Sequence, residues 1–468
     1  MGSFYNVGEK KIRPGVYRRY ENVGESSIPG AIYGVFAMAI HSDIGPLATV
    51  STYVRDDIDE FKKTYGTGGT ADAVLKLFDG GATKVFVYRL GTGGAKATVT
   101  LKGGESTDLV TLTTKTETAK DFAVTVKAKL GSTDTKQLLV YSGTELLETL
   151  EFASGSTESA NLVNVVKESS AYLDAAKVAD GELDDVANES LTSGTAPTVN
   201  TESYSAAFTA LEPFKWNMMV LDTVETTVHA LVKAYINRIF KEGALGVCAF
   251  GEPTTVAFDT RKAHAAAFND EKIIYLGSGY EDGDGNKVDG YLSVATQAGI
   301  IGSTESNTSV THTVIPGAVN TLETLKNSQY EDAIKNGMLL LSTNDEGQVW
   351  FDAAINTLVT PGDDQDEGWK KIRRTSTRFE MFDRIDRALA PLIGKVNCDN
   401  LGIGDCVNAA QAVLDAMVAE GKLQEGAEFS EDETKQRGPD YAYFVITADD
   451  LDSLEKIYLT YQFRFSAE

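Results

Sequence analysis

The chain closes on a segment in which apolar and polar positions alternate strictly. Between residues 457 and 465 every second position is apolar: Ile457, Leu459, Tyr461, Phe463 and Phe465. Period-two spacing places these side chains on one face of a β-strand. The sequence therefore predicts a terminal strand, and a strand with an unpaired edge invites pairing with another chain.

The first twenty residues also have the pattern of extended chain. Pro14 and Gly15 break helices, while Ile12, Val16 and Tyr17 favour strands. We therefore expect two terminal arms, residues 1–20 and 455–468, that pair between subunits through Ile12, Val16, Tyr17, Ile457, Leu459, Tyr461 and Phe463. The alternative is that both segments join the chain's own sheet, which is the usual fate of strands.

Short apolar strands alternate with helical patterns on both sides of a compositionally different segment. Strands are predicted at 31–40, 84–90, 218–222, 246–250 and 273–277, and helices at 56–65, 70–79, 226–242, 259–268 and 289–299. This alternation predicts a largely parallel sheet covered on both faces. Residues 21–91 and 204–370 are thus expected to form one split α/β domain.

The segment between these halves, residues 92–203, is rich in Thr, Ser, Gly and Lys, and the stretch between Arg89 and Arg238 contains no arginine. Alternating patterns predict strands near 97–101, 108–113, 122–130, 137–141 and 146–152, with one helix near 160–173. We interpret it as an inserted, mostly-β domain. Its acidic, Ser/Thr-rich end, residues 174–200, is expected to be a mobile link.

A basic block appears near the C-terminal end of this acidic chain, comprising Lys370, Lys371, Arg373, Arg374, Arg378, Arg384 and Arg387. The interleaved Glu380, Asp383 and Asp386 favour a solvated helix face, because partners three or four residues apart meet on a helix. A docking surface for an acidic partner is the alternative. With a helix at 405–420 and a strand at 441–447, residues 371–454 predict a compact α+β domain.

Composition excludes several classes of function. The 468 residues carry 43 Lys and Arg against 68 Asp and Glu, a net charge of −25. We expect no nucleic-acid partner, because phosphate binding needs a cationic face, and no docking on anionic lipid. The longest apolar run, 31–40, is too short to span a bilayer. The opening MGSFYNVGEKK has no apolar signal core, so we expect a protein that uses no standard secretion signal.

Catalytic motifs are missing from the sequence. It contains no P-loop, no G-x-S-x-G elbow and no H-E-x-x-H. Residues 281–290 resemble a calcium loop, but Lys287 replaces the required glycine and Ser293 the bidentate glutamate. Three cysteines give neither a disulfide framework nor a zinc site. We therefore expect no catalytic residue, cofactor or metal. An α/β enzyme stays the alternative, with Asp222, Glu252 and Tyr280 at strand ends lining a deep pocket.

One passage does resemble a known family. Residues 74–90, VLKLFDGGATKVFVYRL, run from helix through a Gly-Gly turn into an apolar strand that ends in arginine. Phe78, Gly80, Gly81, Val85, Val87 and Arg89 carry a resemblance to the tail sheath proteins of contractile bacteriophages. The start, Arg13 to Tyr17, and the close, residues 446–458, are similar to the same family. The sequence resembles in particular the sheaths of defective-prophage and R-type bacteriocin particles of Gram-positive bacteria.

The resemblance implies a structural subunit of a contractile injection device. Sheath subunits form stacked hexameric rings around a tail tube, between baseplate and tail-terminator proteins, and contract to drive the tube through a cell envelope. It implies that the arms add strands to neighbours, that residues 92–203 decorate the outside, and that the C-terminal domain faces the tube, with Lys371, Arg373, Arg374 and Arg378 as possible contacts. The resemblance also implies that the subunits assemble in the cytoplasm of the bacterial host. A surface-layer type of shell protein is a further alternative.

Overall fold

The computed structural model describes residues 3–4, 17–18, 33–104 and 106–464. Strands β1 (Ser3–Phe4) and β2 (Tyr17–Arg18) pair in parallel with each other. Tyr17 thus has a partner strand within its own chain, whereas Ile12 and Val16 lie outside the described residues. The pairing of this arm between subunits stays a prediction.

The first part of the α/β fold runs from residue 35 to residue 89. Its elements are β3 (Val35–Ile40), β4 (Val50–Val54), α1 (Ile58–Tyr65), α2 (Asp72–Asp79) and β5 (Lys84–Arg89). The apolar runs of β3 and β5 and both helices were predicted. The sequence did not reveal β4, which is short and contains Ser51 and Thr52. It is held by Tyr53, whose ring packs edge-on against Phe61 at 5.2 Å.

The insert is a two-sheet β structure with one helix. It contains β6 (Thr98–Gly103), β7 (Thr107–Thr114), β8 (Phe122–Ala128), β9 (Thr135–Ser142), β10 (Glu145–Ala153), α3 (Glu158–Ser169), β11 (Leu173–Lys177) and β12 (Val186–Ser190). Sheets β10-β9-β8-β12 and β11-β7-β6 enclose an apolar core with α3. The predicted strands are confirmed, as is the helix.

The mobile link predicted at 174–200 is wrong. Strands β11 and β12 occupy about a third of it, and backbone bridges pair Thr98 with Thr192, Ala95 with Thr195 and Thr92 with Thr198. Most side chains of β12 are exposed, so its composition is that of a linker although its backbone is hydrogen-bonded. Polar composition indicated exposure here, and exposure alone does not exclude a strand.

The second part of the α/β fold follows the insert. Its elements are α4 (Thr201–Leu211), β13 (Met218–Val220), α5 (Thr226–Lys241), β14 (Val247–Phe250), α6 (Phe258–Phe268), β15 (Ile273–Leu276), β16 (Tyr280–Asp282), β17 (Lys287–Val288), α7 (Tyr291–Ser303), β18 (Ala318–Thr321), α8 (Asn327–Lys335), β19 (Met338–Leu339), β20 (Leu341–Thr343) and β21 (Val349–Phe351). The calcium-like segment forms the β16–β17 hairpin, whose turn is held by Asp282 accepting from the backbone of Asp284 and Asn286.

Both parts contribute to one seven-stranded sheet in the order β19-β15-β14-β13-β3-β5-β4. Neighbouring strands are parallel except β4, which runs antiparallel to β5. Helices α2 and α7 pack on one face, and α4 and α5 on the other. Burial on both faces explains why these strands are almost entirely apolar. The predicted α/β class is confirmed.

The C-terminal part is a small α+β unit built from α9 (Ile372–Leu389), α10 (Asn400–Ala419), β22 (Glu428–Glu431) and β23 (Phe444–Thr447). Helix α10 starts earlier than predicted because Asp399 caps it, accepting from the backbone of Leu401 and Gly402. Met381, Leu414 and Phe429 lie in the core of this α+β unit. The predicted α+β character of this part is confirmed.

Candidate functional site

The predicted terminal strand is not formed within the chain. Residues 451–464, all described, contain no strand, and residue 465 onward lies outside the described residues. We call residues 456–464 the C-terminal arm. Its large side chains Ile457, Tyr458, Leu459, Tyr461 and Phe463 are 70% to 90% exposed. A soluble protein rarely leaves such a contiguous apolar segment uncovered unless another surface binds it.

The segment just before the arm, residues 450–455, is fixed to helix α9. We call it the arm root. Arg374 donates through both Nε and Nη2 to the two carboxylate oxygens of Asp450, at 2.6 and 2.8 Å, and Arg378 donates to the same carboxylate at 2.9 Å. The Asp450 side chain is 7% exposed. Burial would raise the pKa of this carboxyl, but the hydrogen bonds from the two guanidinium groups outweigh burial and lower it.

A second set of contacts holds the rest of the arm root. Lys371 pairs with Asp452 at 2.7 Å and with Glu455 at 2.9 Å. Arg373 donates to the hydroxyl of Ser453 at 2.9 Å. Glu455 also accepts from Thr311, at 3.2 Å, in a loop of the α/β fold. The root is therefore tied to both parts of the molecule.

These contacts correct the interpretation of the basic block as a solvated helix face. Arg373 is 8% and Arg384 4% exposed, so two of its cations are buried. The carboxylates that pair with Lys371, Arg374 and Arg378 belong to the arm root and to Asp366, rather than to the interleaved acids. The interleaved pairing is found at Arg384 with Glu380 and at Arg387 with Asp383. The possible tube contacts, Lys371, Arg373, Arg374 and Arg378, therefore lie together against the chain's own end.

Glu380 of α9 is the centre of a buried junction between the two parts of the chain. Its carboxylate accepts from Tyr33 and from Ser306 of the α/β fold, and pairs with Arg384 and with Lys422 at 2.7 Å. Burial and the bond to Glu380 raise the pKa of the Tyr33 hydroxyl. The Tyr33 hydroxyl therefore stays protonated near neutral pH and can donate its hydrogen bond to Glu380.

The small sheet β22–β23 presents a surface suited to further strands. The two strands are antiparallel, and in the described chain the sheet consists of this pair. Val445, Ile446, Tyr441 and Tyr443 on and before β23 are all exposed. Apolar side chains beside a free strand edge are the feature that lets an extended segment add by main-chain hydrogen bonds.

The glycine–arginine passage at 74–90 is architectural. Gly80 lies so close to α7 that a Cβ built on it would stand 2.4 Å from the carbonyl oxygen of Thr296, and Gly81 has φ +109°, which favours glycine. Arg89 is fully buried and donates to the carbonyls of Ser42, Gly45 and, in the insert, Glu117. It therefore connects the end of β5 to the insert.

The three enzyme candidates have separate hydrogen-bond partners. Asp222 accepts from His41 Nδ1 (2.8 Å), Thr70 and Tyr204, and its hydrogen bond raises the pKa of His41. Glu252 binds His264 and Tyr275, and Tyr280 donates to Thr296. A cavity of about 370 Å³ lies at the opposite ends of the strands, where each strand starts. Trp216, Met218 and Val247 line this cavity, and none of the three enzyme candidates does.

Two further findings concern the described residues. No group of His, Cys, Asp and Glu side chains among them is arranged to hold a metal ion. None of their helices combines the length and apolar character needed to cross a bilayer.

Sequence reasoning missed the acidic half of the arm root, Asp450, Asp452 and Glu455. A signal was present, since the acidic run at 449–455 is complementary in charge to the cations at 370–378. Charge complementarity between distant segments does not by itself tell which pairs form, so the local partners on the helix were preferred.

Comparison with known proteins places the fold. Residues 197–357 match the family model described as the phage tail sheath protein central domain. None of the curated proteins matches the chain. The sheath tail protein of Desulfitobacterium hafniense superposes with a TM-score of 0.68 at 19% identity, covering 93% of this chain and 100% of that chain. That of Listeria innocua gives 0.64 at 16% identity, covering 91% and 97%.

A more distant similarity extends to an assembled particle. The helical sheath of the anti-feeding prophage in its contracted state gives a TM-score of 0.55 at 10% identity, covering 97% of this chain and 99% of that chain. At these identities the likeness establishes a shared fold. It extends over nearly the whole chain, well beyond the 197–357 segment.

Proposed function

We propose that this chain, which carries a phage tail sheath central domain within a sheath-protein fold, is a structural subunit of a contractile tail sheath. The observation that carries the proposal is the agreement of fold over more than nine-tenths of the chain with solved sheath proteins. In this role the subunits stack as hexameric rings around a tail tube and contract to drive it through an envelope. Baseplate and tail-terminator proteins are the proposed partners at the two ends.

The exposed arm supports assembly by strand addition. Residues 456–464 have the alternation of a strand but no partner strand in the described chain. In sheet β22–β23, strand β23 has β22 as its one partner strand among the described residues, whereas the other edge of β22 meets Gln411 of α10, which accepts from the backbone of Phe429. We infer that the arm of one subunit pairs with this sheet in another, with Ile457, Leu459, Tyr461 and Phe463 on one face. Main-chain hydrogen bonds of this kind tolerate tilting of whole domains, which a contracting mesh requires.

A single arm is expected to contribute little net free energy to the contact between two subunits. Burying each large apolar side chain contributes about 1.5–3 kcal/mol. Fixing the backbone of each arm residue costs about 1–2 kcal/mol. Because the two terms are of similar size, the net gain per arm is small. Stability of the sheath then comes from many arms together, and any ordering of the arm before it binds strengthens assembly.

The proposed sheath needs no reaction chemistry of its own. Contraction in this proposal is the release of a metastable assembled state, so the subunit is not required to bind a nucleotide during firing. The separate hydrogen-bond partners of Asp222, Glu252 and Tyr280 are compatible with this assignment. The insert is proposed to lie on the outer surface.

The C-terminal part is proposed to face the tube. Its cations Lys371, Arg373, Arg374 and Arg378 remain possible contacts, although they already bind the arm root. Helix α10 offers an alternative, because the charged side chains on its exposed stripe are both acidic. The stripe comprises Leu401, Asp405, Asn408, Ala412, Asp415 and Ala419. A tube surface that meets this stripe should be basic.

The experiment is truncation of each arm. We expect variants lacking residues 1–17 or residues 457–468 to remain folded and soluble but to form no long sheaths in negative-stain electron microscopy, because the donated strand is missing. Circular dichroism and thermal unfolding check the fold. The full-length chain is the control and should form tubes or rings. Long sheaths from both truncated variants, or a full-length chain that stays monodisperse at high concentration, would contradict the proposal.

A further inference from the structure

We propose that Lys371, Arg373, Arg374 and Arg378 form a charge clamp, which holds the arm root and so pre-orders the C-terminal arm for delivery to a second copy of this chain. The inference rests on the proposed function. It assigns to these cations a positioning role within the subunit. The partner that the presented arm fits is the free edge of sheet β22–β23 in another subunit.

The chemistry of the clamp is stronger than that of ordinary surface ion pairs. One carboxylate, that of Asp450, is shared by two guanidinium groups, and Arg374 binds it in a two-pronged arrangement. Asp450 is largely buried and Arg378 mostly so. Bidentate, desolvated pairs are short, directional and less screened by salt than exposed pairs. They can therefore fix the direction of a chain segment.

The clamp ends where the arm begins. Its last contact is at Glu455, and the alternation of apolar residues starts at Ile457. The backbone of the root is held as well, because Leu451 donates to the carbonyl of Lys422 and Leu423 bridges to Asp450. Every residue ordered in advance removes part of the entropic cost of strand addition. The boundary between held and free chain thus coincides with the boundary of the donated strand.

The surroundings of Arg373 indicate that the clamp positions the arm root and contributes little to the stability of the fold. It is 8% exposed, yet its Nε has no hydrogen-bond partner among the described residues. Burial lowers the pKa of its guanidinium, against the opposing effect of Asp452, Asp450 and Glu455. A buried cation with an unused donor stabilises a fold poorly. Its contact with Ser453 does, however, hold the middle of the root between the two outer ion pairs.

The anchor is tested on the unassembled subunit by limited trypsin digestion followed by mass spectrometry. Trypsin can cut after Lys456, next to the clamp, and after Arg464, beyond it, so the second cut is an internal standard. We expect Asp450→Asn to speed cleavage after Lys456 at least about tenfold relative to cleavage after Arg464, since a charged hydrogen-bond acceptor for two arginines is lost. The matched control is Asp449→Asn, an adjacent exposed carboxylate, which should change the ratio less than about twofold.

The second part of the proposal, delivery of the C-terminal arm to another subunit, is tested by measuring the critical concentration for polymerisation of the protein. We expect Asp450→Asn to raise it about tenfold while circular dichroism and sheath morphology stay as in the parent, and Asp449→Asn to leave it unchanged. A second pair guards against a folding defect: Lys371→Gln should behave like Asp450→Asn, and Lys370→Gln, which removes the lysine paired with Glu367, should behave like the parent.

Each outcome decides part of the inference. Unchanged cleavage after Lys456 in Asp450→Asn and Lys371→Gln overturns the clamp, whatever the protein's function. Faster cleavage with an unchanged critical concentration overturns the delivery role. If the parent chain forms no polymer under any condition, the proposed function fails and delivery fails with it, while protection of Lys456 still decides whether the anchor exists.

Discussion

At the scale of single residues, buried polar groups in this protein are held by specific partners. Asp222 accepts from three side chains, and Arg89 donates to three carbonyls. Buried polar groups cost several kcal/mol when unpaired, so such residues need dedicated partners whether or not they carry chemistry. The Asp–His and Glu–His pairs at the sheet edge thus have a structural explanation.

His229 of α5 gives the stability of the fold a pH dependence. Its ring stacks on Phe250 and its Nε2 lies 2.9 Å from the carbonyl of Thr223. Burial lowers the pKa of His229 to about 4. The unfolded chain therefore takes up a proton first as the pH falls below the ordinary histidine pKa of about 6.5. We expect the free energy of unfolding to fall by roughly 2 kcal/mol between pH 7 and pH 5 from this residue alone.

The check is urea unfolding of the parent and of His229→Gln at both pH values. The variant should lose this part of the pH dependence. His41 acts in the opposite direction, since its raised pKa gives stability below about pH 6.5 that is lost as the pH rises. The difference between parent and variant therefore isolates His229. An identical pH dependence in the two proteins would refute the prediction.

At the scale of elements, sequence patterns predicted the strands that are buried on both faces and the regularly alternating strands of the insert, and they missed short strands with a polar face. The all-apolar runs of β3, β5, β14 and β15 stood out because a parallel sheet covered by helices admits little else. Strand β4 and the 174–200 region were missed because their exposed faces are polar. The arm root was missed for another reason: its pairs join residues more than seventy positions apart, and spacing rules cover only local partners.

The junction between α2 and α7 depends on glycine. A Cβ on Gly80 would lie 2.4 Å from the carbonyl oxygen of Thr296 and 2.8 Å from Cα of Gly299. Because both obstacles are backbone, they cannot move aside, and we expect Gly80→Ala to lower the free energy of unfolding by about 1–3 kcal/mol. Chemical denaturation measures it. The control is Gly404→Ala in α10, where a Cβ meets nothing within 4 Å and should stabilise by about 0.5–1 kcal/mol. Equal effects of the two substitutions would contradict the steric argument.

At the scale of the whole molecule, the charge distribution bears on the proposed contact with a tail tube. Helix α10 contains no Lys or Arg, and Asp405 and Asp415 lie on its exposed stripe. If this helix faces the tube, reversing both to Lys should weaken sheath–tube attachment at low salt several-fold, because complementary charges steer and hold the contact. Co-sedimentation of sheaths with tubes measures attachment.

The matched control for this reversal lies on the α/β fold. Asp56 and Asp59 are exposed acids near the start of α1, and their reversal changes the net charge by the same amount. Attachment that falls equally in both variants would indicate a general charge effect and reject α10 as the tube face. Reversal of Arg373 and Arg374 cannot serve here, because it also breaks the arm root.

The insert leaves and rejoins the α/β fold at one backbone bridge, and Arg89 adds a side-chain contact to it. Thr92 and Thr198 exchange two backbone hydrogen bonds of 3.0 Å, so the chain departs and returns at one point. A module attached in this way leaves the spacing of the central strands independent of its own length. Exchange of the residues beyond that bridge for a different folded unit would accordingly leave the central strands in place, provided that the new unit supplies an acceptor for Arg89 in place of Glu117.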